Sequence, residues 1–513
     1  MKDLPIGIQD FRKLRSEDYL YIDKTELIYS LVQGSGYYFL SRPRRFGKSL
    51  LISTMIELFQ GNKDLFKGLW IENKWDWSKT NPIIHLPFSL LDYQKKGLEQ
   101  AISDRLDKIA TEYNLTLDSI TIKDKFQELI ILLNNHYGKV ALLVDEYDKP
   151  IIDYIGKDIS TAVGNQQTMK TFYSIVKDMD AHLKMVFITG VSKFSKVSIF
   201  SELNNLNDIT QKRNYGTLLG YTEDELCHYF KEHIVAYSKE NDCTSKQTVE
   251  KIREWYNGYL WSGKVRVYNP FSVLNFFDGM AFKNYWFSTG TPTFLIDLLR
   301  EEVLYDVDNT RVGETTFDSF DIEHKIDLLS LLFQTGYLTI KEVDERGIYT
   351  LGYPNKEVRN AFLDYLIEGF SGRSKGKVQP LMLELEDAFR DHNLEQVKIC
   401  LQVMLANLPY HLHEKTEKFY HAVVHLTFYY LGTYVQSEVV TSRGRADAIV
   451  QTDSHIYCFE FKFNKSAEEA LEQIKSKNYL EKFQLTGKKL VGIGVNFSTE
   501  AKGIDGWKVE VLG

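Results

Sequence analysis

The stretch "YYFLSRPRRFGKSLLISTMIELF", Tyr37 to Phe59, decides how the first half of this chain is read. Tyr37 to Ser41 has the pattern of a short apolar strand, and Gly47, Lys48 and Ser49 turn the chain into a helix. A Gly-Lys-Ser/Thr tripeptide is weak by itself, because roughly 0.3 copies arise by chance in a chain this long at average residue usage. Its context carries more. Between a strand and a helix, the backbone N–H groups of the turn and of the first helical residues converge on an anion. Lys48 would then reach the β and γ phosphates of a nucleotide, and Ser49 would ligand Mg²⁺. The candidate nucleotide loop is thus Arg44, Arg45, Phe46, Gly47, Lys48 and Ser49. Arg42 stands where such a loop usually has a glycine that permits a left-handed backbone angle. The guanidinium groups of Arg42, Arg44 and Arg45 are expected to add positive charge beside the phosphates. Spacing alone leaves a nucleotide site and a merely basic turn both open.

The other half of such a site is an apolar strand ending in a carboxylate, since Mg²⁺ needs a hard oxygen ligand and the attacking water an orienting group. "VALLVDEYD" supplies it: Asp145 on the metal side and Glu146 for the water. The next apolar strand ends in "FITGVSK", which puts Thr189 or Ser192 near the γ-phosphate as a polar sensor. The competing reading is that these residues only cap helices. Continuous apolar runs separated by helices predict buried parallel strands in an α/β domain over residues 1–214. Residues 215–379 read as charged helices forming a lid, with a helix–hairpin–helix stretch around "GYLTIKEVDERGIYTLGYP" compatible with a winged helix. "GRSKGKVQP", Gly372 to Pro380, reads as a linker, so a third domain is expected over 380–513. Within it the pattern gives helices to about Leu431, three strands, a helix from about Ser466 to Phe483, and a strand "KKLVGIGVNF".

In "GRADAIVQTDSHIYCFEFKFNKS", Asp447 lies in one strand, with Glu460 and Lys462 two residues apart in the next. Period-two geometry sends Glu460 and Lys462 to one face. Asp447, Glu460 and the Phe461 carbonyl make an oxygen site suited to Mg²⁺ or Mn²⁺, with Lys462 placing water or stabilising phosphoryl charge, which is the layout of a metal-dependent phosphodiesterase. Glu417, on the preceding helix, is a candidate third acid; Gln473 and Tyr479 are candidate contacts to substrate or metal water. The competing reading is an ion pair on a solvated sheet. His421 and His425 have zinc-helix spacing, but Ala422 stands where a zinc protease needs its glutamate.

Composition bounds the rest. The chain has 513 residues, 43% hydrophobic and 26% charged, ordinary for a globular protein of several domains. A net charge of −8 argues against coating nucleic acid non-specifically, so any groove for it must be local. Four scattered cysteines give neither a disulfide framework nor a zinc ribbon. No signal-peptide pattern or run of ~18 apolar residues occurs, so a cytoplasmic protein without a membrane partner is expected.

The stretches "PIGIQDFRKLR", "YYFLSRPRRFGKSLLISTM", "LLVDEYDKP", "WYNGY", "YNPFSVLNF" and "TGYLTI" resemble the bacterial AAA-ATPase-like proteins, and "GRADAIV…YCFEFKF" resembles their C-terminal PD-(D/E)XK nuclease domain. The arginine-rich loop lacking its first glycine is itself that family's form. The resemblance implies a P-loop NTPase fold of AAA type with a helical lid, followed by an α/β nuclease-like domain. It also implies ATP at Lys48, Ser49 and Asp145, and nuclease chemistry at Asp447, Glu460 and Lys462. The expected function is ATP hydrolysis with metal-dependent cleavage of nucleic acid, DNA favoured, in mobile-element or phage-defence work, with homo-oligomerisation open. The alternative is an ATP-driven signalling, scaffold or remodelling protein whose nuclease-like domain is not catalytic.

Overall fold

The computed structural model describes residues 1–34, 36–193, 199–200, 203, 205–287, 293–317, 327–372, 374–406, 416–431, 435–441, 444–498, 500–501 and 503–513; residues 293–294, 375, 416–419, 421, 435–441 and 444–445 are described by backbone alone. They form two compact units, residues 1–291 with 307–359, and residues 292–306 with 360–513.

In the first unit, five strands, β1 (Tyr37–Ser41), β2 (Ile83–Pro87), β3 (Val140–Asp145), β4 (Leu183–Gly190) and β5 (Leu206–Asp208), form a parallel sheet in the order β2-β3-β4-β1-β5. All six residues of β3 are buried, which is why its sequence is a continuous apolar run rather than an alternating one. Helices α1 (Phe11–Ser16) and α2 (Thr25–Val32) precede β1, and α3 (Lys48–Phe59) follows it. Because β4 lies between β1 and β3, the turn after β1 and the end of β3 face a common crevice beyond the C-terminal strand edge, where open α/β sheets bind ligands.

The helices Glu223–Tyr229, Lys231–Glu240, Ser245–Tyr256 and Pro270–Gly279 carry the expected helical region. Their core includes Phe230, Ile252, Tyr256, Val273 and Phe276 and also takes in Leu20 and Ile22, so this region is packed onto the N-terminal segment. Helix Leu328–Thr335, β7 (Thr339–Val343), β8 (Tyr349–Gly352) and helix Lys356–Ser371 follow in the expected order, with an additional short strand β6 (Thr310–Val312) pairing with β8. The expected linker differs: Lys375–Arg390 is one helix with Pro380 inside it.

The second unit holds a sheet in the order β13-β12-β11-β10-β9, where β9 is Val435–Thr441, β10 Gly444–Gln451, β11 His455–Phe463, β12 Lys489–Ser498 and β13 Gly503–Val511. Only β11 and β12 pair in parallel, and helix Ala467–Ser476 makes the crossover between them. That helix ends earlier than its apolar pattern suggests, with Asn478 in the left-handed region at φ 52°. It also lies very close to the sheet. A Cβ on Gly494 would stand 2.2 Å from the Ala467 carbonyl oxygen, so only glycine fits there. Strand β13, at the sheet edge and largely exposed, carries a short apolar alternation, Trp507, Val509 and Val511, that the sequence reading passed over.

Candidate functional sites

Helix α3 begins immediately after Gly47, whose φ of 92° turns the chain. Arg45 also sits at positive φ, 68°, so the loop makes two left-handed turns without a glycine at position 42. The first N–H groups of α3 have no helical carbonyl ahead of them, and Gly47, Lys48 and Ser49 line the cavity, an arrangement that can receive an anion. Lys48 is buried and its amine donates to the carbonyls of Arg42 and Pro43, each at 2.9 Å. Ser49 Oγ donates to Asp145 Oδ2 at 2.5 Å. A cavity of about 810 Å³ is lined by Arg44, Arg45, Gly47, Lys48, Ser49, Asp145 and Glu146, together with residues of the N-terminal segment and of helix Pro270–Gly279.

Burial lowers the Lys48 pKa, opposed by Asp145, Glu146 and Asp148. Burial also raises that of Glu146, against the pull of Lys48. Glu146, which lines the cavity, adopts φ 53°, a conformation costly for a residue with a Cβ.

These contacts place three of the expected residues, Arg42, Thr189 and Ser192, away from the cavity lining. Arg42 does not lie beside the phosphate cavity. It is fully buried, donating to the carbonyls of Ser41, Thr210 and Tyr215 with its guanidinium 4.2 Å from the Trp261 ring centroid. Its job is to tie the loop's root to the fold, because a buried guanidinium needs acceptors for its donors. Phe46 is buried against Tyr259 and Trp261, with ring centroids at 4.8 and 5.2 Å, so the side chain anchors the loop and only its backbone is left for an anion. Thr189 faces Asp145 instead of the cavity, its hydroxyl donating to Oδ1 at 2.8 Å. Ser192 is likewise turned inward, donating from Oγ and N–H to Asp148 Oδ2 at 2.7 Å each.

Sequence reading passed over Asp148, a buried carboxylate on the cavity wall that fastens the turn after β4 through Val191 and Ser192. It also missed Trp286, whose indole N–H donates to the Arg44 carbonyl at 3.0 Å. The repeated acids of "DEYD" were the available signal for Asp148; nothing in the sequence links residues 242 positions apart.

In the second unit, Ala448 pairs with Phe459, which sets Asp447 across from Glu460 on one face of β10 and β11. Asp447 Oδ2 accepts the Phe461 N–H at 2.8 Å. Lys462 Nζ lies 3.1 Å from Glu460 Oε1 and 2.6 Å from Gln473 Oε1. Gln473 donates through Nε2 to Glu460 and, at 3.1 Å, to the Tyr479 hydroxyl. Asp447, Glu460, Lys462, Gln473 and Tyr479 are therefore brought into one neighbourhood. Glu460 is buried, so its carboxylate is held by Lys462 and Gln473 rather than by water. Glu417 belongs to helix Thr416–Tyr430, but its side chain lies outside the described residues. Among the described residues no three or more His, Cys, Asp or Glu gather as metal ligands. The pair of carboxylates is a hard oxygen donor set, which suits Mg²⁺ or Mn²⁺ with water completing the shell.

Comparison with known proteins agrees with both halves. Residues 5–200 match the family model described as "Predicted AAA-ATPase", and residues 415–507 match the PD-(D/E)XK nuclease superfamily. An uncharacterized protein in the vnfD 5′ region of Azotobacter chroococcum mcd 1 is 37% identical over 536 residues, covering 100% of this chain and 99% of that one. No described helix is long and apolar enough to cross a membrane. The chain belongs to this AAA-ATPase-like family with a C-terminal PD-(D/E)XK nuclease superfamily domain.

Proposed function

We propose that this AAA-ATPase-like protein binds and hydrolyses ATP in the first unit and cleaves nucleic acid, DNA favoured, in the second. The observation that carries the first part is the meeting of Lys48, the α3 N-terminus, the Ser49–Asp145 pair and Glu146 at one cavity. Ser49 and Asp145 would hold Mg²⁺, which when bound supplies positive charge against the phosphate oxygens. Lys48 would exchange the carbonyls of Arg42 and Pro43 for phosphate oxygens, and Arg44 and Arg45 add charge from the same loop. Glu146, with its basicity raised by burial, accepts the proton of the attacking water. Thr189 keeps Asp145 oriented.

In the second unit Asp447 and Glu460 would hold Mg²⁺ or Mn²⁺, with Phe461 contributing its carbonyl and Glu417 as a further acid; the ion when bound lowers the pKa of water. Lys462, placed by Gln473, stabilises charge on the phosphoryl group. The work in the cell is proposed to be mobile-element or phage-defence related, in the cytoplasm.

The test uses purified full-length protein. Lys48→Ala should abolish ATP binding in titration calorimetry, and Glu146→Gln should keep binding while turnover falls by about a hundredfold or more. Asp447→Ala and Glu460→Ala should stop nicking of plasmid and linear DNA while leaving ATP turnover intact. ATP binding equal in wild type and Lys48→Ala removes the nucleotide assignment. No cleavage by wild type with either metal, with or without ATP, favours a scaffold or signalling protein whose nuclease-like domain is not catalytic.

A further inference from the structure

Three consecutive carbonyls leading into the nucleotide loop are each taken by a donor. Lys48 Nζ holds those of Arg42 and Pro43, at 2.9 Å each, and the Trp286 indole N–H holds that of Arg44 at 3.0 Å. The two holds differ in kind. Lys48 lines the cavity and is the group that would leave its carbonyls for phosphate oxygens, whereas Trp286 does not line the cavity. Trp286 is also fixed from several sides. Its backbone N–H donates to Glu357 Oε1 at 2.6 Å, and its ring centroid lies 5.4 Å from that of Tyr337, 5.5 Å from that of Phe287 and 6.5 Å from that of Tyr259. The Arg44 carbonyl is thus drawn to a rigid residue off the cavity wall. In a planar trans peptide the C=O and the following N–H point in opposite directions, so the same bond sets the Arg45 N–H, which faces away from Trp286. Arg44 and Arg45 both line the cavity, and among the described residues the Arg45 N–H donates to no acceptor. Arg45 holds φ 68° although it is not a glycine, and N–H groups around such a left-handed residue form a concavity that takes anions.

We propose that Trp286 is a positioning residue of the nucleotide site, its indole N–H holding the Arg44 carbonyl off the bound phosphates and so presenting the Arg45 N–H to them. The inference rests on the ATP-binding reading given above and adds to it a residue 242 positions from the loop. Without the indole donor the Arg44–Arg45 peptide is free to turn over. That motion would put a carbonyl oxygen, with its partial negative charge, where an N–H meets phosphate. A glycine-rich loop reaches the productive peptide orientation at little conformational cost; this loop, with no glycine from position 42 to position 46, has it held from outside.

Calorimetry with Mg²⁺ measures the affinity of full-length wild type and Trp286→Phe for ATP and for inorganic tripolyphosphate, with folding followed by thermal melts. Phenylalanine keeps an aromatic ring against Tyr259 and Tyr337 and removes the N–H. Both affinities should fall by about tenfold, with the melt close to that of wild type, because the change falls on the phosphates. In wild type, hydrogen exchange resolved to the Arg45 amide should slow by about tenfold or more when tripolyphosphate binds. Where the variant's melt falls, this wild-type exchange decides. Equal affinities in the two proteins, or an Arg45 amide whose exchange tripolyphosphate leaves unchanged, overturn the assignment alone. So does a loss for ATP without one for tripolyphosphate, since the effect then lies away from the phosphates. A wild type that binds neither ATP nor tripolyphosphate overturns the nucleotide reading, and this inference with it.

Discussion

Glu357 gives a prediction that can be worked from the structure alone. Its carboxylate is fully buried behind the nucleotide loop, accepting the Ser272 hydroxyl at 2.7 Å and the Trp286 backbone N–H at 2.6 Å. Trp286 in turn holds the Arg44 carbonyl. Burial outweighs these donors and raises the carboxyl pKa to about 8. The native state therefore binds one more proton than the unfolded chain between about pH 4.5 and pH 8, so stability falls as pH rises through that window and levels off above it. A displacement of this size corresponds to a loss on the order of 5 kcal/mol, enough to consume much of an ordinary domain's stability. Glu357→Gln removes the titration while keeping the hydrogen bonds, because its amide oxygen can accept from Trp286 and its amide nitrogen can donate to Ser272 Oγ. Urea midpoints of both proteins at pH 5, 6, 7 and 8 should coincide most closely at pH 5 and separate progressively, with the variant the more stable at pH 8. Parallel curves, or a wild type that gains on the variant with rising pH, would refute the reasoning.

Three further outcomes follow from packing. Phe46→Ala removes a buried ring between Tyr259 and Trp261 and should cost roughly 3–5 kcal/mol in urea unfolding, with weaker ATP binding in calorimetry because the loop loses its anchor. Thr189→Val deletes the donor to Asp145 without changing shape much; turnover at saturating ATP and Mg²⁺ should fall by about tenfold, while a stability loss stays near 1–2 kcal/mol. Gly494→Ala should unfold or displace the crossover helix Ala467–Ser476, read as lost protection of its amides in hydrogen exchange, while the first unit's ATP binding persists.

The sequence by itself carried the strand–loop–helix around Lys48, the strand ending at Asp145 and the pairing of Glu460 with Lys462, because these are local facts. A continuous apolar run, a turn residue and a two-residue period are each written in a few adjacent positions. Tertiary structure decided what the side chains around them do. Arg42 reads as one more cation for phosphate, but the acceptors that claim it lie at Thr210 and Tyr215 and the ring that covers it is Trp261. Thr189 stands at the end of a strand aimed at the crevice, yet Asp145 on the neighbouring strand takes its hydroxyl. Edge strand β13 does alternate, at Trp507, Val509 and Val511, but most of it faces solvent, so no buried apolar run marked it. Periodicity reports which face of an element is buried; which atoms share that burial depends on strand order and loop paths that join residues far apart in the chain.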